Sequence, residues 1–333
     1  MKTGKLPEHT LKRSVLTPIG YCNDGTLLPP GIGHDGAVIG DIVTAMASTA
    51  FCYLGNEIYA LNNALNNLIA AGGAPFGVEV AILMPEHSEE ADLRRIMDNL
   101  AKHGKEAGVK ILGGHTELVP SVNYITVVVT GYGKKIWNPR YKSITEGMDI
   151  VMTKWVGLYG GALLAELKEE DLVTRYPASY IEVAKAYMKY TSLISELAAI
   201  EAAVAGNPDC IYAAHDVSNG GLFGALWQLL SACNCGGQME LSEIYMKQEI
   251  IEICEFFDIN PYMMNGQGSL LLVTGEGDYL VNQFHKAGVE ANVIGKTTKN
   301  PDRKIMIGGE ERFLVPPKGD ALNVVFYGQK MQI

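Results

Sequence analysis

Positive charge is scarce in this chain: 27 Lys and Arg face 37 Asp and Glu in 333 residues, a formal net charge of −10. That balance excludes the basic stripe a nucleic-acid-binding surface needs. It leaves room for a nucleotide, because a few amides and lysines hold phosphates on an acidic protein. Long apolar runs are also missing, and none approaches the length of a membrane span. The start, Met1-Lys2-Thr3-Gly4-Lys5-Leu6-Pro7, lacks the apolar core of a signal peptide. A soluble, cytoplasmic protein with no membrane partner is the expectation. Cysteines are few and scattered, at positions 22, 52, 210, 233, 235 and 254. They read as reduced thiols and not as a disulfide framework. Cys233 and Cys235 form a lone C-x-C without the second ligand pair of a zinc site, and the expected reading is a plain helix end. Neither a G-x-S-x-G elbow nor a G-x-x-x-x-G-K-[ST] loop occurs. Cys22 and Cys52 have no identifiable base, so nucleophilic catalysis by hydroxyl or thiol is not expected.

What is present is a globular composition, 47% apolar and 19% charged. The length exceeds what one hydrophobic core usually serves, so two domains are expected. Helical spacing runs through Asn56–Ala71, with Ile58, Leu61, Leu65, Leu68 and Ile69 on one face, and again through Ser88–Ala107, with Ser88 as the cap. Tyr124–Tyr132 is the clearest strand. Asp41–Phe51 and Phe76–Met84 are further β segments. Several β runs are adjacent in sequence, which points to a mixed sheet with helices packed on it and not a doubly wound parallel fold. A boundary is expected near Tyr141–Gly147, giving domains 1–147 and 148–333. Beyond it, Asp149–Thr153, Ser269–Thr274 and Ala291–Ile294 read as strands. Tyr180–Ala205, Asn219–Cys233, Ile250–Phe257 and Tyr279–Ala287 read as helices.

Two glycine-containing runs stand out, Gly113-Gly114-His115-Thr116-Glu117 and His215-Asp216-Val217-Ser218-Asn219-Gly220-Gly221. Each follows an apolar stretch and sets paired glycines beside imidazole, hydroxyl and carboxylate groups. Paired glycines let backbone approach a ligand, and their N–H groups suit an anion. Two such loops suggest a nucleotide or phosphate held by an α/β protein.

Six stretches in order carry a family resemblance. They are Gly4-Lys5-Leu6-Pro7, Gly33-His34-Asp35-Gly36-Ala37-Val38, Asn66 to Pro75, Gly113 to Glu117, Met152 to Leu158 and His215 to Gly221. With them the chain resembles the aminoimidazole-ribonucleotide (AIR) synthase superfamily, also called PurM-like, and within it the HypE-like branch. The resemblance implies a two-domain α/β (α+β) fold. Its N-terminal mixed sheet pairs with a twin in a homodimer to form a barrel-like core, and an α/β domain follows. It also implies ATP with Mg²⁺, and phosphorylation or ATP-driven activation of an oxygen on a small acceptor or a partner-presented group.

On that resemblance Asp35, Asn67 and Glu117 are the metal candidates. Lys5, Gly113, Gly114, Thr116, Lys154, Gly220 and Gly221 are the nucleotide candidates, and Asp216 and His115 the catalytic ones. Plainer readings stand beside these. Asp35 caps a turn, Asn67 bonds helix backbone, Glu117 is solvated, and Lys5 and Lys154 are surface lysines. His215 is a packed strand-end residue, and Asp216 caps the helix that follows. The chain also departs from the family pattern. Ala47 stands where an aspartate is usual, and Asn66-Asn67 replaces Asn-Asp, which weakens the expected metal site. No cysteine follows Cys254, so the carbamoyl chemistry of a HypE terminal cysteine is not expected. A relative that binds a nucleotide, a metabolite or a partner without turnover is the rival reading, and a maturation scaffold for a metalloenzyme is a further one.

Overall fold

The computed structural model describes residues 5–20, 28–50 and 53–328. Gly4, Cys22, Cys52 and the tail Gln329–Ile333 lie outside the described residues. The chain forms two compact units, a first comprising 25–29 and 35–136, and a second comprising 1–24, 30–34 and 137–333. The division therefore falls after Ile136 and not near residue 147. Trp137 and Tyr141 are buried in the second unit. There the Tyr141 hydroxyl donates to Ala214 O at 2.9 Å, and Arg140 pairs with Asp209 at 2.7 Å. The N-terminal segment, with α1 (Glu8–Leu11) and a π-helical turn at Lys12–Leu16, also belongs to the second unit.

The first unit contains β1 (Ala37–Ile39), β2 (Ile42–Ser48), α2 (Asn56–Ala70), β3 (Gly73–Met84), α3 (Glu90–Glu106), β4 (Lys110–Leu118) and β5 (Thr126–Lys135). Its five strands run in the order β1-β2-β5-β3-β4. Only β3 and β4 are parallel, joined through α3, so the sheet is mixed. Strand alternation sends Val78, Val80, Ile82, Val127 and Val129 to one face. There they pack with Leu61 and Leu65 of α2 and Ile96 and Leu100 of α3. Helix α3 opens with a capping box of Glu89 and Asp92. Ser88, expected as the cap, lies one residue outside it. The opposite face carries no helix of this unit among the described residues. It presents Ile42 and Met46, the latter 63% exposed.

The second unit continues with β6 (Asp149–Thr153), α4 (Leu158–Leu167), α5 (Glu169–Leu172), α6 (Ala178–Lys185), α7 (Ile194–Gly206), β7 (Ala213–Val217), α8 (Gly221–Ala232) and β8 (Gly236–Glu240). It ends with α9 (Gln248–Phe256), β9 (Ser269–Thr274), α10 (Gly277–Lys286), β10 (Ala291–Thr298), β11 (Arg303–Ile307), β12 (Glu310–Phe313) and α11 (Leu322–Tyr327). Seven strands form a second mixed sheet, β12-β11-β8-β10-β6-β9-β7. Strands β7 and β9 are buried along their whole length, although β7 carries His215 and Asp216. The single helix expected over Tyr180–Ala205 is broken by a 3₁₀ turn at Ala186–Tyr190. The carbonyls of Tyr190 and Ser192 turn instead to the Lys154 ammonium, each at 2.9 Å. Cys233 is the C-cap residue of α8, and Cys210, Cys233, Cys235 and Cys254 are free thiols. Among the described residues no helix is long and apolar enough to cross a membrane.

Candidate functional site

In the second unit the run from His215 to Gly221 divides between strand and helix. His215 and Asp216 lie in β7 and are buried, 2% exposed each. Gly220 is the residue before α8, with φ +89°, and Gly221 opens the helix with φ +63°. Glycine is needed at Gly221 because a Cβ there would stand 2.6 Å from Met264 O. Asp216 was expected to cap α8. It sits too far back, inside the strand, and no side chain caps that helix at Gly220.

The glycine amides serve the fold and not an incoming phosphate. The Gly220 N–H donates to Asp320 Oδ2 at 2.8 Å, and the Gly221 N–H to Ser218 O at 3.0 Å. Asp320 was not anticipated from the sequence. Fully buried, it also accepts from the amides of Asn265 and Leu322 at 3.3 and 3.0 Å. Burial is the larger influence on its carboxyl and lifts it to about 6 against the pull of those amides and of Lys5. The only trace in the sequence was an aspartate just before a short helix, which reads as an N-cap.

Lys154 also departs from expectation. Only 5% exposed, it lies within 3.1 Å of Glu196 and of the carbonyls of Tyr190, Ser192 and Gly268. An ammonium has three hydrogens, so nothing remains for a phosphate. Burial lowers its pKa, with Glu196 acting in the opposite sense. Lys154 is thus an interior ion-pair residue. Lys5 is different. Its Nζ contacts the neutral Gln228 Oε1 at 3.1 Å, so its charge is not cancelled there. The same oxygen lies 2.9 Å from His215 Nε2. An oxygen that accepts from a lysine must also accept from the imidazole, which places the His215 proton on Nε2.

Lys5, Gln228, Asn219 and Gly220 line a cavity of about 720 Å³, closed by Trp227 and the strap Pro316–Gly319. That size suits a small organic ligand. Two lysines, Lys5 and Lys318, and one carboxylate, Glu8, are among its walls, so it favours an anionic guest.

In the first unit Gly36 packs against Ala71 at the end of α2, where an added Cβ would lie 3.0 Å from Ala71 Cβ. Asn67 is one turn earlier, its carbonyl accepting from Ala71 N. The backbone at Gly36, next to Asp35, therefore lies against the end of α2 that carries Asn67. Ala47 is buried among Ala60, Leu61 and Ala64 and offers no donor. Gly113 to Glu117 is not a loop: it forms most of β4, an exposed edge strand. Gly114 is glycine because a Cβ would fall 1.9 Å from Val80 O on β3. His115 Nε2 and Glu117 Oε2 lie 3.1 Å apart on the open side of the strand, both exposed. The register Ala47–Val129–Val80–Gly114 spans three strand spacings. That is about 14 Å along the sheet, so β4 stands well apart from β2 within one chain. Tyr132 and Glu79 share the open face, with the hydroxyl donating at 2.8 Å; this bond raises the phenol's pKa.

Comparison with known proteins agrees with this two-sheet architecture. Residues 57–134 match the N-terminal domain of AIR synthase related proteins, and residues 145–308 match their C-terminal domain. Carbamoyl dehydratase HypE of Rhodobacter capsulatus is 26% identical over 271 residues, covering 80% of this chain and 76% of that protein. A chain of the HypE–HypF complex superposes with a TM-score of 0.72 at 20% identity, over 91% of this chain and 100% of that one. HypE in complex with ATP gives 0.70 at 18% identity, over 94% and 95%. At such identities the structural likeness speaks for the fold. The two domain matches span most of the sequence, and the chain belongs to the AIR synthase related family.

Proposed function

We propose that this protein binds ATP and uses it to phosphorylate or activate an oxygen atom on a small acceptor or on a group presented by a partner protein. The observation that carries the reading is the cavity of the second unit, where the Lys5 ammonium, hydrogen-bonded to the neutral Gln228, faces the first turns of α8. Its support is the kinship with HypE, a protein known in complex with ATP and in complex with HypF. A lysine on such a wall offsets phosphate charge as a point cation. The acceptor is assigned to this cavity, with Asp216 as the orienting carboxylate and His215 fixed by Gln228. Most of the protein's contribution is positioning and charge stabilisation.

The donors of the first unit fit Mg²⁺. This ion takes one or two carboxylates, neutral oxygens and waters, and completes its shell with phosphates. Asp35 and the Asn67 amide oxygen would hold it, and it would offset phosphate charge. His115 and Glu117 then face the nucleotide from the open side of the exposed edge, while Thr116 meets it from the other face of the strand. Homodimerisation through the open face of the five-stranded sheet belongs to the same proposal, because that face exposes Ile42 and Met46 and carries no helix of its unit among the described residues.

Ala47 favours a second reading, nucleotide binding without turnover, since a core alanine stands where a ligand carboxylate is usual in the family. Calorimetry with ATP, with and without Mg²⁺, followed by ADP release, separates the two. Turnover requires tighter binding with Mg²⁺, by at least about tenfold or 1.4 kcal/mol. That gain should disappear in Asp35→Ala. Binding without ADP release favours the second reading. No heat with millimolar ATP in either condition rules out both.

A further inference from the structure

We propose that Asp320 is a positioning residue of the site: its carboxylate holds the Gly220 turn, and thereby the α8 face that floors the cavity, in the arrangement a ligand meets. The inference rests on the functional reading above. Asp320 lies past residue 308, where the match to the family domain ends. It gathers three separate stretches of chain. Oδ2 takes the Gly220 amide before α8, and Oδ1 takes the amides of Asn265 and Leu322. The neighbouring Ala321 amide donates to Met263 O at 3.0 Å, and Asn265 O accepts from Gly160 in the first turn of α4. The strap leading to Asp320 lies directly on the helix. A Cβ at Gly220 or Gly224 would meet Pro317 Cγ at 3.3 or 3.4 Å.

The start of an α-helix carries partial positive charge and unsatisfied amides. Here a carboxylate of the chain itself answers that charge. Protonation would remove one acceptor and leave the same amides competing for the rest. The Lys5 charge, on the N-terminal segment, acts on Asp320 in the sense that favours its ionised form, and Lys318 stands two residues before it in the strap.

The test follows the Gly220 amide by NMR in the full chain while pH is varied. The wild-type resonance should move with a midpoint near 6, and Asp320→Asn should show no such step. Amide exchange in 217–224 should be at least about tenfold faster in Asp320→Asn, or in Asp320→Glu should the asparagine variant fail to fold. ATP affinity, or turnover, should fall as wild-type protein is acidified through the same range, and this pH dependence should vanish in Asp320→Asn. A core variant of matched stability, Leu226→Ala, should keep the wild-type pH profile; a purely structural role would make the two variants behave alike. A static Gly220 signal in wild type, or unchanged exchange in the variant, overturns the inference. If wild type binds no ATP the functional reading fails, while the Gly220 titration still decides for or against the clamp.

Discussion

Replacing Lys154 separates an interior ion pair from a phosphate ligand. The ammonium lies 3.0 Å from Glu196, with side chains 4% and 0% exposed. Glu196 further accepts from the hydroxyls of Thr153 at 3.0 Å and Ser195 at 2.6 Å. Removing the lysine leaves a carboxylate buried with only these neutral donors and leaves the carbonyls of Tyr190, Ser192 and Gly268 without their cation. Breaking one side of a buried pair costs about 3–5 kcal/mol. In Lys154→Gly part of this should return, because Lys154 has φ +55°, a left-handed backbone that costs a side-chain residue on the order of 1 kcal/mol. That strain would be relieved in Lys154→Gly but not in Lys154→Met. Urea unfolding of Lys154→Met should therefore show a loss of about 3–5 kcal/mol, with wild-type slope. The double variant Lys154→Met/Glu196→Gln should recover at least about 1 kcal/mol, since it removes the stranded charge. ATP affinity of the folded single variant should stay close to wild type. A loss below about 1 kcal/mol accompanied by a hundredfold weaker ATP affinity would refute the reasoning and restore Lys154 as a phosphate ligand.

Gly114→Ala forces a Cβ against the Val80 carbonyl, while Gly113→Ala meets nothing nearer than 4.0 Å; thermal unfolding should show only the former destabilised, by about 1–3 kcal/mol or more, and equal ATP defects without a stability difference would mean that both glycines serve a phosphate. Ala47→Asp places a carboxylate in the apolar cluster beneath α2 and should lower stability by a few kcal/mol, on the order of 1–3; if it is combined with Asn67→Asp, added Mg²⁺ should restore part of the loss in the melting curve. Met46→Glu and Ile42→Glu on the open sheet face should convert a dimer to monomers in light scattering at micromolar concentration, with unchanged circular dichroism; a wild-type monomer sinks the dimer proposal. For Asp320 the folded pKa, about 6, lies above the ordinary value of 3.8. Its linked contribution to stability is thus full below about pH 4 and is lost as pH rises through about 6, amounting to about 3 kcal/mol; the stability–pH curve of Asp320→Asn should be flatter by that amount across this window.

Much of the fold was readable because its elements agree with local rules. Helical spacing at Ile58, Leu61, Leu65 and Leu68 gave α2, the β-branched run Thr126–Thr130 gave β5 and the short apolar run Leu270–Val273 gave β9, since each pattern follows from which face is buried. Strands β11 and β12 escaped because they form the edge of the seven-stranded sheet, where residues such as Arg312 and Glu310 face solvent and no apolar alternation is required; β8 is largely buried but opens on two glycines and carries no β-branched residue. The Gly308-Gly309 pair, both with positive φ, nonetheless marks the hairpin of β11 and β12. The break between α6 and α7 could not be read locally, because it depends on a lysine more than 30 residues away drawing carbonyls out of the helix.

The site shows the same division between local and distant causes. The sequence points to glycines at Gly114, Gly220 and Gly221, yet glycine at a close approach looks alike whether the neighbour is a ligand or another strand. At Gly114 the neighbour is Val80, at Gly221 it is Met264, and Gly220 gives its amide to a carboxylate a hundred residues on. A glycine motif therefore locates a crowded place in the fold without naming what crowds it. The residues that distinguish the cases are Asp320 and Gln228. Neither belongs to the glycine runs, and only the folded chain brings them to Gly220, Lys5 and His215.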